Sequence, residues 1–164
     1  MDVKKSKKSL EAINYFNQGD MCSFNSILSD DECVEINLTG MDISNITLPN
    51  LTKKTINFSS CELWKVEFNN LEDCELIMNN CSLNRCSFNG GEITIVADSL
   101  RVHNSDFLSC NLSKSKLDRL LVSHSSLKNT ILPDSIGCGE INFSTICLSK
   151  IPNNVKEKIN NHKG

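Results

Sequence analysis

Aromatic side chains are scarce in this 164-residue chain: one Trp, one Tyr and seven Phe. A bulky aromatic core is therefore excluded. Long apolar runs are missing as well, and no stretch approaches the ~18 apolar residues of a membrane-spanning helix. The start, Met1 to Lys8, is basic, but Ser9 to Gln18 supplies no apolar signal core. A cytoplasmic address is the default expectation, although a secretion signal without an apolar core would escape this test. Histidine is limited to three residues and no C-x-x-C pair occurs among the nine cysteines, so neither a metal site nor a cofactor is expected. His103, His124 and His162 are too scattered to pair with any one nucleophile, so no catalytic residues are assigned and the chain reads as a non-enzyme. The apolar spacing also lacks the period of 3.6 of a helix and the period of two of an alternating strand.

Present instead is a period of five, from about Ile36 to Leu148. C-E-L-W-K, V-E-F-N-N, C-S-L-N-R and C-S-F-N-G lie in one phase at 61–65, 66–70, 81–85 and 86–90, and C-N-L-S-K and S-K-L-D-R follow at 110–119. Each five has a bulky apolar centre, with a small or apolar residue two places before it. Centres fall at Leu38, Ile43, Leu48, Phe58, Leu63, Phe68, Met78, Leu83, Phe88 and Ile93. Lys53 and Asp73 put charge where centres are due. One residue is then missing, and centres resume at Val102, Phe107, Leu112, Leu117, Val122, Leu127 and Leu132. An added residue around Ser135 to Gly139 would bring Phe143 and Leu148 back to the first phase. Such slips mark a bulge or loop between coils.

Two inward residues in five, followed by polar turn formers, describe one side of a four-sided coil. Four sides make about twenty residues per turn, so positions twenty apart should stack at the ~4.8 Å strand spacing. Leu48, Phe68, Phe88, Phe107 and Leu127 then form one column. Cys61, Cys81, Cys86 and Cys110 take the second inward slot, where a free thiol behaves as a small buried hydrophobe. That placement favours reduced cysteines and a cytosolic setting.

These fives resemble the pentapeptide-repeat family, whose motif is a small residue, Asp or Asn, Leu or Phe, then two polar residues. The resemblance covers roughly 36–150. It implies an all-β solenoid, a right-handed parallel quadrilateral β-helix of about six coils. The expected organisation is a flexible basic N-terminus at 1–8, a helical cap at 9–33, the β-helix at 34–150 and a tail or short helix at 151–164. In the cap, Leu10, Ile13 and Phe16 have helical spacing, Ser9 is a candidate N-cap, Gly19 a stop, and Phe24 with Ile27 suggests a second helix. Pro152 would break the coil, and Val155 with Ile159 could form a covering helix.

Charge is uneven. Residues 20–99 hold thirteen acids and four bases, whereas 100–164 hold five acids and nine bases, a polarity able to orient a partner or a homodimer. Stacking by twenty places Trp64-Lys65, Asn84-Arg85, His103-Asn104 and Ser123-His124 on one side. An aromatic beside aligned cations has the composition of an interface anchor, which makes Trp64, Lys65, Arg85, His103 and His124 the candidate protein-binding residues. The alternative for Trp64 is a ring folded over its own turn. Glu62, Glu67, Glu72, Asp73 and Glu75 form an alternative acidic belt. DNA mimicry would need acids along the long axis, whereas these follow one another around a single coil. The chain is not basic enough for direct nucleic-acid binding. Triplets such as Asn37-Leu38-Thr39, Asn57-Phe58-Ser59 and Asn111-Leu112-Ser113 match glycosylation acceptors, but the repeat itself generates them.

The resemblance implies a rod that works by binding another protein: an immunity or resistance-type factor that masks a toxin or shields a cellular target. The alternatives are a DNA-mimic modulator of a type II topoisomerase and a secreted host-directed effector.

Overall fold

The computed structural model describes residues 7–31, 35–134, 136–142, 144–147 and 149. The proposed flexible start, Phe143, Leu148 and the proposed tail at 151–164 lie outside the described residues, apart from Lys7 and Lys8. Among the described residues, two helices, α1 (Lys7–Asn17) and α2 (Met21–Ser29), precede thirteen strands. These are β1 (Glu35–Asn37), β2 (Asp42–Leu48), β3 (Leu51–Thr52), β4 (Thr55–Asn57), β5 (Glu62–Ile77), β6 (Cys81–Asn84), β7 (Ser87–Ala97), β8 (Leu100–His103), β9 (Asp106–Asn111), β10 (Lys116–Ser123), β11 (Ser126–Lys128), β12 (Ile136–Asn142) and β13 (Thr145–Cys147). Every pairing is parallel, and the chain winds as a β-solenoid of about five turns, one fewer than the repeat length suggests. No helix among the described residues is long and apolar enough to cross a membrane.

The five-residue rule is visible in the backbone. A left-handed residue follows two places after most centres: Asn45, Ser60, Lys65, Asn70, Asn80, Arg85, Asn104, Ser109, His124 and Asn129, with Gly40 and Gly90 in the same role. Each such residue turns the chain through a corner, leaving the centre and the second slot facing inward. Asn and Gly suit that conformation best. The predicted column is present: Leu48 pairs with Phe68, Phe68 with Phe88, and Phe88 with both Phe68 and Phe107, and Phe107 with Leu127. The Phe68 and Phe88 rings stack at 4.2 Å and Phe88 and Phe107 at 4.5 Å, nearly parallel at 5° and 3°.

The irregular fives resolve differently from the sequence expectation. Lys53 and Asp73 do not occupy inward slots but take the left-handed corner themselves. The next residues, Lys54 and Cys74, turn inward and are buried. Each of these two coils therefore has one short side and one long side. Lys54 lies at the N-terminal end of its column, and its ammonium donates to the Asp30 carbonyl at 2.5 Å. A cation at the C-terminal end of α2 suits the helix dipole and ties the cap to the first coil.

The phase slip lies one corner earlier than the centres suggest. Glu72 pairs with Glu92, but Cys74 pairs with Ile93, so the missing residue is the counterpart of Asp73. Ile93 is accordingly a second-slot residue rather than a centre. At the far end the chain loses a residue instead of gaining one. Val122 pairs with Ile141 and Leu127 with Ile146, so these isoleucines stand at the centre register. The corner after Leu132, through Pro133 and Asp134, is simply one residue shorter than the corner after Leu112, as the pairing of Leu117 with Ile136 shows.

The cap also departs in detail. α1 begins at Lys7, so Ser9 lies inside the helix; it is buried, and its Oγ accepts from the Asn37 N–H at 3.0 Å. Leu10 is 50% exposed, while Ala12 is the buried apolar residue of α1. Gly19 is left-handed as expected of a stop. Asp20 caps α2 by accepting from the Ser23 N–H at 3.0 Å, and those Ser23 hydrogen bonds hold its carboxyl below the usual range. Phe24 and Leu28 are fully buried beneath the helices.

The second inward slot is polar chemistry folded into an apolar core. Cys61, Cys74, Cys86 and Cys110 donate to the carbonyls of Leu38, Leu51, Leu63 and Phe88 at 3.1, 3.3, 3.3 and 3.3 Å. In the later coils hydroxyls take over. Ser105 Oγ donates to the His103 carbonyl at 2.8 Å and accepts from the Cys86 N–H at 3.0 Å, and Ser125 repeats the pattern with Ser123 and Ser105. Thus a Cys or Ser here satisfies backbone groups that a buried coil would otherwise leave unpaired.

Cys61, Cys74, Cys81, Cys86 and Cys110 are free and buried. Burial pushes the Cys81 thiol up to about 12 and the Cys110 thiol to about 11, and raises Cys74 and Cys86. Inert, protonated thiols follow. In the native protein they should resist alkylation that readily labels the exposed Cys22, Cys138 and Cys147. Since these thiols lose protons more reluctantly when folded, the stability they contribute is complete below an ordinary thiol value near 9. It should fall as pH rises from there towards about 12. Rapid native labelling of all buried positions, or denaturant midpoints flat over that pH window, would contradict the inward placement.

Candidate functional site

The corner that follows Leu63, Leu83, Val102 and Val122 carries the candidate residues. Strand register stacks Ser44, Trp64, Asn84, His103 and Ser123 in one outward column. The corner residues beside them are Asn45, Lys65, Arg85, Asn104 and His124, all left-handed. Trp64 is 40% exposed. Lys65 Nζ lies 4.5 Å from the centroid of its ring and the Arg85 guanidinium carbon 5.9 Å, both within cation–π range. Trp64, Lys65 and Arg85 are thus one cluster, in which the indole is braced by its own turn and the next yet stays partly exposed. His103 and His124 form a second cluster, with ring centroids 5.2 Å apart, and His103 Nδ1 is 2.8 Å from Ser123 Oγ.

Two features of this corner escaped sequence reading. Asn84 stands between Trp64 and His103, and its Oδ1 is buried with no hydrogen-bond partner among the described residues. The second feature is backbone cost. The neighbouring corner columns give the left-handed place to Gly40, Ser60 and Asn80, and to Asn70, Gly90, Ser109 and Asn129. This one gives it to Asn45, Lys65, Arg85, Asn104 and His124, and the fourth gives it to Lys53 and Asp73; for Lys65 and Arg85 the conformation costs about 1–2 kcal/mol each.

The acidic residues share β5 with the Trp64 corner, and Glu62 stands in the column adjoining it. Glu62, Glu67, Glu72 and Asp73 are exposed and Glu75 is half-buried, all on β5 within a single circuit. They encircle the solenoid and do not run along it. Thr47 Oγ1 donates to Glu67 at 2.9 Å, and the Lys114 ammonium meets Glu92, the neighbour of Glu72, at 2.7 Å. Glu92 first, and Asp73 to a lesser degree, raise the Lys114 ammonium above its usual value. The Asn-x-Ser/Thr triplets are turn devices: Asn37, Asn57 and Asn111 accept from the N–H groups of Thr39, Ser59 and Ser113 at 3.1, 2.9 and 3.1 Å. Asn69 and Asn89, on the side adjoining Trp64, bond to each other at 2.8 Å. Among the described residues no three His, Cys, Asp or Glu side chains are grouped to hold a metal ion.

No family model, curated protein or solved structure matches the chain.

Proposed function

We propose that this protein is a non-enzymatic, pentapeptide-repeat-type rod that acts in the cytoplasm by binding another protein, as an immunity or resistance-type factor that masks a toxin or shields a cellular target. One observation carries the reading. The Trp64 corner gathers two cations, Lys65 and Arg85, against a large indole that stays 40% exposed. An aromatic braced by cations has the make-up of a binding hot spot. A solenoid supplies a rigid, flat side, so such a residue set is preorganised. Topoisomerase modulation by DNA mimicry is less well supported, because the acids of β5 lie around the axis.

Pull-down from the source cytosol names a partner to measure. Trp64→Ala combined with Arg85→Glu should then weaken binding by about 2 kcal/mol or more and leave the unfolding transition unchanged. Asn69→Ala combined with Asn89→Ala, on the adjoining side, should bind normally. The acidic-belt alternative predicts the opposite pattern, with Glu67→Lys and Glu72→Lys abolishing activity and the Trp64 change silent.

A further inference from the structure

We propose that the Trp64 corner accepts an acidic α-helix of the partner protein, laid along the solenoid axis. This rests on the reading of the corner as a protein-binding surface and specifies its occupant. The sign of the charge is the first argument. Lys7, Lys8 and Lys114 each meet a carboxylate, whereas Lys65 and Arg85 face the indole of Trp64 and meet no carboxylate among the described residues. Two cations held side by side without counter-charge, at a corner that strains to present them, match carboxylates on a partner. Arg101 extends the positive surface one coil further, stacked on Ser82 in the adjoining column. Glu62 in that column bounds it at the N-terminal side.

Spacing supplies the second argument. Lys65, Arg85, Asn104 and His124 belong to successive coils, so three strand spacings of ~4.8 Å separate the first from the last, about 14 Å in all. In an α-helix, residues i, i+3, i+7 and i+10 line one face and span about 15 Å at 1.5 Å per residue. In an extended strand, four residues on one face span about 20 Å at two residues per step, and the fit is lost after the second contact. A helix with carboxylates at those four places keeps pace with the corner along its whole length. The exposed part of the Trp64 indole then packs an apolar residue beside the acidic row.

Trp64 is the only tryptophan in the chain, so its fluorescence reports this corner directly. The probes are tryptophan-free synthetic peptides: a helical one with Glu at i, i+3, i+7 and i+10 beside Leu, and an extended one with the same number of Glu residues alternating with Thr. The helical peptide should give a saturable change in Trp64 emission. The combined change Lys65→Glu and Arg85→Glu should weaken it at least ~30-fold, and a helical peptide with Lys in place of Glu should regain binding to that variant. Equal or tighter binding of the extended peptide overturns the helical occupant, and binding indifferent to the charge reversal overturns the acidic one. A concentration-dependent change in Trp64 emission without peptide, with dimers in sedimentation, assigns the corner to a second copy and also overturns the proposal. If neither peptide binds but Trp64→Ala with Arg85→Glu still abolishes binding to the captured partner, the helix is wrong and the protein-binding reading stands.

Discussion

Phe88→Ala is expected to lower stability by about 3–5 kcal/mol, read as a fall in the denaturant midpoint. Phe88 is fully buried, and its ring is stacked between Phe68 and Phe107 at 4.2 and 4.5 Å. Truncation removes both ring contacts at once. The walls cannot collapse into the space, because the coils above and below are held at the strand spacing by parallel hydrogen bonds. A solenoid makes the loss worse, since each coil is stabilised chiefly by its neighbours. Phe88→Leu copies Leu48 and Leu127 of the same column and should cost only about 1–2 kcal/mol. Phe58 provides the contrast within the core, because it meets Phe68 edge-on at 5.9 Å outside the stacked column. If Phe88→Ala and Phe88→Leu proved equally mild, the column would not be the packed unit described here.

That column was legible because a period of five converts directly into a direction. Once Leu63 and Phe68 point inward, residues twenty further on must stack on them unless the chain inserts or deletes a residue. The same arithmetic found the second slot, including Ser105, Ser115, Ser125 and Thr130, all buried. It failed where apolar content was ambiguous. Phe143 is bulkier than Ile141, so hydrophobicity favoured an added residue, whereas the short corner through Pro133 removes one. It failed again at Lys53 and Asp73, because charge at a centre reads as a flaw in the repeat when it is a corner moved by two residues. Lys54 was invisible for a related reason: its burial depends on the Asp30 carbonyl, 24 residues away in the cap.

The candidate site was legible as a set of neighbours and illegible as a geometry. Stacking by twenty aligned Trp64 with Asn84, His103 and Ser123. It could not show that Arg85 reaches back over the Trp64 ring, or that His103 meets His124 across the corner. Those contacts depend on side-chain direction at left-handed residues, which a period does not encode. Both braces come from the corner column, which turns the ring from a flat outward residue into a supported one.

Gly91→Ala should be more damaging than its single added methyl suggests, with a loss of about 4 kcal/mol or more. Two effects add. Gly91 adopts a φ of +104, beyond the range that L side chains tolerate, and an added Cβ would lie 2.0 Å from the Leu71 carbonyl oxygen. The dihedral strain alone is worth about 1–3 kcal/mol. The clash is with backbone, so no rotamer relieves it. Relief requires parting the Leu71–Gly91 pair, beside the place where the register shifts between Glu72 and Cys74. That is also the corner where the chain drops the residue corresponding to Asp73, and only a glycine lets the third coil lie that close to the second. Gly40→Ala separates the two effects, because Gly40 has a φ of +75 and nothing within 4 Å of the added methyl. It should cost about 1–2 kcal/mol from the left-handed backbone alone. The measurement is the difference between the two urea midpoints at equal m-value. Equal losses would mean that Leu71 yields without cost and that the tight approach at Gly91 is not what sets the register of the later coils. A larger loss at Gly91, with protease cleavage appearing first between β7 and β9, would locate the solenoid's weakest joint at the position where its repeat slips.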